Sequence, residues 1–160
     1  MSDEVKGDDP FSDPGSASSF PAMKQLRGRV LIVHPTKLET GLPNTLQPGM
    51  TYDRMTADVI VLDGDPITGR LDDDDNETPF DEPLVPPFKL ESMFISGAKL
   101  ITECKGKLPR GEQPAGLVIG KLTRLAPQKA GRKGAWSLET ATDEQKALGK
   151  KYLANVDPFA

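Results

Sequence analysis

Gly116-Leu-Val-Ile-Gly-Lys-Leu-Thr-Arg-Leu125 and Ala135-Trp-Ser-Leu-Glu139 have strand-like apolar content. They are joined by Ala126-Pro-Gln-Lys-Ala-Gly-Arg-Lys-Gly134, which is rich in Gly and basic residues. Two such runs around a Gly/Pro connector predict a β-hairpin with a long basic loop. From Gln113 to Leu138 there is no acidic residue, while Lys121, Arg124, Lys129, Arg132 and Lys133 are all cationic. Trp136, the single tryptophan, opens the return strand. Cations beside an aromatic suit a single-stranded nucleic acid, because the charges hold phosphates and the ring stacks on a base. The competing reading is a solvated loop next to a core tryptophan.

Outward from the hairpin, charge is segregated. The whole chain has 20 Lys and Arg against 24 Asp and Glu, a formal net charge of −4. Residues 92–138 nevertheless carry nine basic side chains against Glu103 and Glu112, and residues 53–91 carry twelve acids against Arg54, Arg70 and Lys89. Fields fade over a Debye length of about 8 Å, so the local excess governs what binds there. An acidic isoelectric point therefore does not exclude a polyanionic partner.

The 160 residues suffice for one domain with tails, and 15 Gly and 15 Pro point to an all-β chain with many turns. No apolar run approaches the roughly 20 residues of a membrane span, so no membrane partner is expected. The acidic N-terminus has no apolar h-region, so no signal peptide is expected; one cysteine, Cys104, fits a reducing, cytoplasmic compartment.

Residues 1–22 are acidic and rich in Pro, Ser and Gly, and read as a disordered tail. Leu26–His34 is the first expected strand, with Val30, Ile32 and His34 on one face and Leu31 and Val33 on the other. Arg27 and Arg29 share a face at its start and are candidates for a basic groove, against the plainer reading of an exposed edge. Leu38–Asp53 reads as a loop ending near Tyr52, either a stacking platform or a ring over the core. Arg54–Asp63 is the second strand, with Ala57, Val59 and Val61 on its buried face. Asp65–Pro87, which contains Asp72-Asp-Asp-Asp-Asn-Glu77, reads as a mobile acidic loop; its spacing is not that of an EF-hand. Phe88–Ser96 is the third strand, and Gly97–Lys105 either continues it or forms a short helix ringed by Lys99, Lys105, Lys107 and Arg110. After the hairpin, Thr142 is positioned to cap a C-terminal helix with Ala147, Leu148, Tyr152 and Leu153 as its apolar stripe.

Chemistry-bearing patterns are sparse. There is no Walker loop, GxGxxG, GxSxG or HExxH, and one His with one Cys cannot build a zinc site of the usual kind. Carboxylates are numerous enough for a metal-dependent nuclease or a glycosidase pair, yet they cluster in the segment read as mobile. The expectation is a non-enzyme with no cofactor and no metal. Cys104 has no His or second Cys nearby in sequence and reads as a small buried hydrophobe.

Strand, strand, strand, short helix, strand, strand is the order of the OB-fold, a five-stranded Greek-key barrel. Through Leu26–Val33, Met93-Phe-Ile-Ser-Gly97 and Gly116–Leu122, the chain resembles small single-stranded DNA-binding proteins of bacteriophages. The resemblance implies a mainly β protein: a barrel over residues 23–141 with the acidic loop 65–87, then a C-terminal helix and tip over 142–160. It implies coating and protection of single-stranded DNA during phage replication or recombination, in the host cytoplasm, with homo-oligomers possible. Arg27, Arg29, Lys105, Lys107, Lys121, Arg124, Lys129, Arg132 and Lys133 would follow phosphates. Trp136, Tyr52 and Phe94 would stack on bases. Asp157-Pro158-Phe159 is similar to the acidic Pro-Phe ending with which bacterial single-stranded DNA-binding proteins dock on replication and repair proteins, and Asp9-Pro10-Phe11 repeats it near the N-terminus. Here Ala160 follows the phenylalanine and one acid precedes the proline. Two alternatives carry no nucleic acid: a β-rich virion or assembly protein whose acidic and basic segments meet between subunits, and a protein-binding adaptor.

Overall fold

The computed structural model describes residues 20–127 and 134–155. A single helical turn, α1 (Met23–Leu26), leads into β1 (Val30–Pro43) and β2 (Thr51–Val61). A two-stranded ribbon follows, β3 (Ile67–Leu71) and β4 (Glu77–Leu84), and then β5 (Phe88–Ile95). Helix α2 (Ala98–Cys104), a 3-10 turn at Lys105–Lys107, β6 (Val118–Arg124), β7 (Trp136–Thr140) and α3 (Asp143–Asn155) complete it. The main sheet is antiparallel in the order β5-β2-β1-β6-β7.

Strand alternation divides the sheet's side chains between two cores. On one face Leu31, Val33, Met55, Ala57, Val59, Val61, Leu90, Met93, Ile95 and Leu122 are buried, roofed by Leu26 of α1 and by Leu100, Ile101 and Cys104 of α2. On the other, Val30, Ile32, Ile60 and Leu62 pack with Ile119, Tyr152 and Leu153. Both faces of β1's first half are therefore buried, which accounts for its unbroken apolar run.

The sheet is open, not the closed five-stranded barrel expected. Closure would bring β5 to β7, and among the described residues each pairs on one side only. A helix occupies the required edge. The Glu103 carboxylate of α2 accepts the Ser137 hydroxyl at 2.7 Å and the Leu138 N–H at 2.9 Å. A side chain thus satisfies the donor that a sixth neighbour would have used, as buried edge amides require.

Three other expectations change. Residues 38–43 and 51–53 are strand, not loop: β1 runs on through bulges after Pro35 and Glu39, and the connector shrinks to 44–50. The exposed half of this pairing alternates weakly in hydropathy, but Arg54 stands opposite Glu39 and binds it through Nε and Nη2, at 3.2 and 2.8 Å. Second, residues 65–87 are not a featureless mobile acidic loop. The Asp72 carboxylate accepts the backbone N–H groups of Asp74 and Asn76, each at 2.9 Å, and closes the β3–β4 turn with Asp75 at φ 63°. Gln25 clips the ribbon to α1: its Oε1 accepts from Ala22 N and Leu71 N, and its Nε2 donates to the Gly69 carbonyl. Lys24 binds the Asp72 carbonyl and the Asp75 carboxylate. Third, Phe20 packs on the core and Pro21 is buried, so the last residues of the stretch read as tail are part of the packed structure.

Helix α3 is capped reciprocally: Gln145 N–H donates to Thr142 Oγ1, and Thr142 N–H donates to Gln145 Oε1. Its packing face is centred on Gly149, not on the expected Ala147 and Leu148, which are exposed. A β-carbon at Gly149 would sit 2.8 Å from Ile119 Cδ1, so the missing side chain sets the distance of closest approach. Of the expected stripe Tyr152 and Leu153 do pack on this face, and apolarity alone missed Gly149 because the closest residue has no side chain.

Candidate nucleic-acid interface

Backbone pairing continues past the start of β1. Gly28 N–H donates to the Leu122 carbonyl at 2.7 Å, and Leu122 N–H donates to the Arg29 carbonyl at 3.0 Å. Gly28 turns the chain with φ +83°, a conformation that suits glycine. These bonds carry Arg27 alongside the Arg124 end of β6. Arg27, Arg124, Leu125, Ala126, Pro127 and Gly134 line an open groove of about 510 Å³ there.

Arg124 and Trp136 are register partners on adjacent strands, so their side chains share a face. The guanidinium lies 4.7 Å from the indole centroid, and Arg124 Nε donates to the Gly134 carbonyl at 2.9 Å. Stacking and one hydrogen bond fix the plane of the guanidinium while leaving its terminal nitrogens available to an anion. Arg27 is exposed. Among the described residues, the charged groups lining the groove are two guanidinium ions and no carboxylate. Lys129, Arg132 and Lys133 lie outside the described residues; the chain that carries them leaves at Pro127 and returns at Gly134, both at the groove.

The remaining candidates do not join this groove. Arg29 is structural: its Nε donates to the Gln25 carbonyl at 3.0 Å and its Nη1 to the Asp63 carbonyl at 3.1 Å. Lys121 points to the α3 face of β6, opposite to Arg124, with Glu139 as its register partner. Lys105 and Lys107 are exposed on the 3-10 turn, where Gly116 N–H donates to the Lys107 carbonyl. Neither lysine lines the groove.

Tyr52 and Phe94 belong to a second aromatic site. Both lie on the face away from Trp136, toward the far end of β2. Phe94 is 58% exposed and carries the Arg54 guanidinium 4.2 Å from its centroid. Arg54 was not singled out from sequence. Its pairing with Glu39 holds that carboxyl below the usual glutamate range, mainly through the hydrogen bond, and raises Arg54 in turn. This guanidinium is therefore already neutralised, whereas Arg27 has no ion-pair partner among the described residues. The single cleft expected from sequence is divided: of its nine described residues the groove is lined by Arg27 and Arg124, with Trp136, packed against the core, stacked under Arg124.

No family model, curated protein or solved structure matches the chain. Geometry and charge alone bear on what the groove does. Catalytic groupings are scarce around it. Among the described residues no three His, Cys, Asp or Glu side chains are gathered to hold a metal. Burial, with a smaller push from Glu103, drives the Cys104 thiol up to about 12, which leaves it un-ionised and a poor nucleophile at neutral pH. No helix among the described residues is long and apolar enough to cross a membrane. Asp157, Pro158 and Phe159, the expected partner-docking tip, lie outside the described residues.

Proposed function

We propose that the protein binds single-stranded nucleic acid, DNA in the first instance, at the Arg27–Arg124–Trp136 groove, without performing chemistry on it. One observation carries this reading: an open groove of about 510 Å³ whose charged lining is two guanidinium groups, one of them stacked on the single tryptophan. Phosphates meet Arg27 and Arg124, and a base stacks on the free plane of the Arg124 guanidinium or on the edge of the indole it covers. Lys129, Arg132 and Lys133, between Pro127 and Gly134 in the sequence, add to the positive charge of this segment. With the β3–β4 ribbon set aside, the chain runs strand, strand, strand, helix, strand, strand, and an OB-fold opened along one seam is the architecture we include in the proposal. Coating of DNA during phage replication or recombination, in the host cytoplasm, is the role that fits such binding.

A protein-binding adaptor is the second reading. It is favoured by the opposite end of the sheet, where Leu46 is 90% exposed on the 44–50 connector and Phe94 is also open.

Titration of the full chain with oligothymidine across a salt series separates the two. Nucleic-acid binding predicts quenching of Trp136 and a log–log salt slope of about −0.7 per phosphate engaged. Arg27→Ala/Arg124→Ala then flattens that slope by about 1.4, two contacts' worth. Absence of both quenching and a mobility shift at low salt rejects this function and leaves the adaptor.

A further inference from the structure

An apolar opening lies on the other face of the sheet, between α3 and the β1–β6 pair. Ile32, Leu117 and Ile119 form its floor, and Gly149 and Leu153 form one wall. The space is about 190 Å³. It exists because Gly149 has no side chain: the helix comes down on Ile119 and Ile32 at that residue and leaves the flank beside it unfilled. Leu117, at the opening, is 38% exposed. Lys146 and Lys150, one helical turn apart, form the rim, and neither ammonium has an ion-pair partner among the described residues. An apolar socket with a cationic rim fits an aromatic side chain flanked by a carboxylate. The size agrees, since an apolar cavity of about 150 Å³ accepts one benzene ring.

The sequence supplies such a group within reach. Val156-Asp157-Pro158-Phe159 follows Asn155, the last residue of α3. From Asn155 back to Gly149 is six helical residues, about 9 Å of rise. Four residues of extended chain from Asn155 to Phe159 span up to about 14 Å. A reversal directly after Asn155 would let Phe159 reach the socket and carry Asp157 past the lysines. We infer that the cleft beside Gly149 is a docking site for Phe159 of the same chain, held by Lys146 and Lys150 through Asp157. Docking of this kind makes the Asp-Pro-Phe segment a self-bound ligand that a partner must release before using it. The inference does not depend on the nucleic-acid reading, because socket and groove lie on opposite faces of the sheet.

Fluorescence anisotropy of a labelled peptide spanning residues 155–160 tests it on the full chain. The peptide is expected to bind the Phe159→Ala chain, and to bind the unmodified chain at least tenfold more weakly because its own segment fills the cleft. Adding Lys146→Glu and Lys150→Glu to Phe159→Ala is expected to weaken the peptide at least tenfold, with an unchanged melting curve showing that these exposed substitutions leave the fold intact. Equal binding to the unmodified and Phe159→Ala chains overturns the proposal, as does indifference to the lysine reversals or a failure to bind Phe159→Ala. Tighter binding by a peptide of residues 5–14 identifies Phe11 as the occupant and overturns it too. A dimer of the unmodified chain on gel filtration that Phe159→Ala abolishes places the segment in a second copy and does the same.

Discussion

Substituting Glu103 by Ala should unlatch α2 from the edge of β7. The carboxylate holds two donors there, the hydroxyl of Ser137, a residue only 6% exposed, and the Leu138 N–H. Each buried donor left without a partner costs about 1–3 kcal/mol. The (i, i+4) contact of Lys99 with Glu103 at 3.5 Å adds a few tenths at most, and the better helix propensity of Ala returns about as much. Rotation of the Ser137 hydroxyl toward water recovers part of its share, so about 3 kcal/mol is expected in total. For a chain of this size that lowers Tm by about 6–12 °C. Urea unfolding followed by Trp136 fluorescence measures it well, because that indole adjoins Ser137 in sequence. Glu103→Gln, which keeps one acceptor oxygen, should lose about half as much. A Glu103→Ala/Ser137→Ala cycle should show a coupling of about 1 kcal/mol. If Glu103→Ala unfolds within about 0.5 kcal/mol of the parent, the carboxylate does not seal the edge and the explanation for the open sheet is wrong.

Further outcomes follow from the same geometry. Thr142→Ala should destabilise α3 by about 1 kcal/mol, seen as faster amide exchange in its first turn, through loss of the reciprocal cap with Gln145. Glu39 has a lowered folded pKa, so its contribution is present above the ordinary glutamate range and fades as pH falls through the folded value. The stability gap between the parent and Glu39→Gln should accordingly shrink in acid, measured by urea melts at a series of pH values. Cys104, buried and pushed up to about 12, should resist a thiol reagent at pH 8 until urea unfolds the chain; rapid labelling of the native protein would contradict its placement.

Periodicity made the two-sided burial of Val30–Val33, the β6–β7 hairpin and the Thr142 cap legible in the sequence, since each depends on neighbours a few residues away. It failed where distant side chains decide. Nothing near Leu71 announces that Gln25, 46 residues earlier, will clip the ribbon to which it belongs. The extension of β1 to Pro43 rests on Glu39 meeting Arg54 across the sheet, a match that needs the register first. The candidate site failed for a related reason. Charge counting brought Lys105, Lys121 and Arg124 together, yet one-residue alternation turns Lys121 away from Arg124, and Lys105, on the turn after α2, does not line the groove. Local sequence gave the sign of the charge but not the side of the sheet, while Trp136 and Arg124 were legible as a pair because a hairpin fixes its own register.

Val61 and Phe88 face each other as the last pair of the β2–β5 ladder, and everything between them, residues 62–87, departs from and returns to that one doorstep. Nine of the chain's 24 Asp and Glu side chains are thereby housed in an annexe whose two ends abut. Its tip, the turn over residues 72–77, can be exchanged for one of other composition without disturbing the register of the strands it interrupts, whereas its base cannot: Leu62 and Ile67 are buried in the two cores, and the Asp63 carboxylate accepts the Val30 N–H. The acidity of that tip and the neighbouring sheet are thus separately adjustable, and an engineer can graft a foreign turn there.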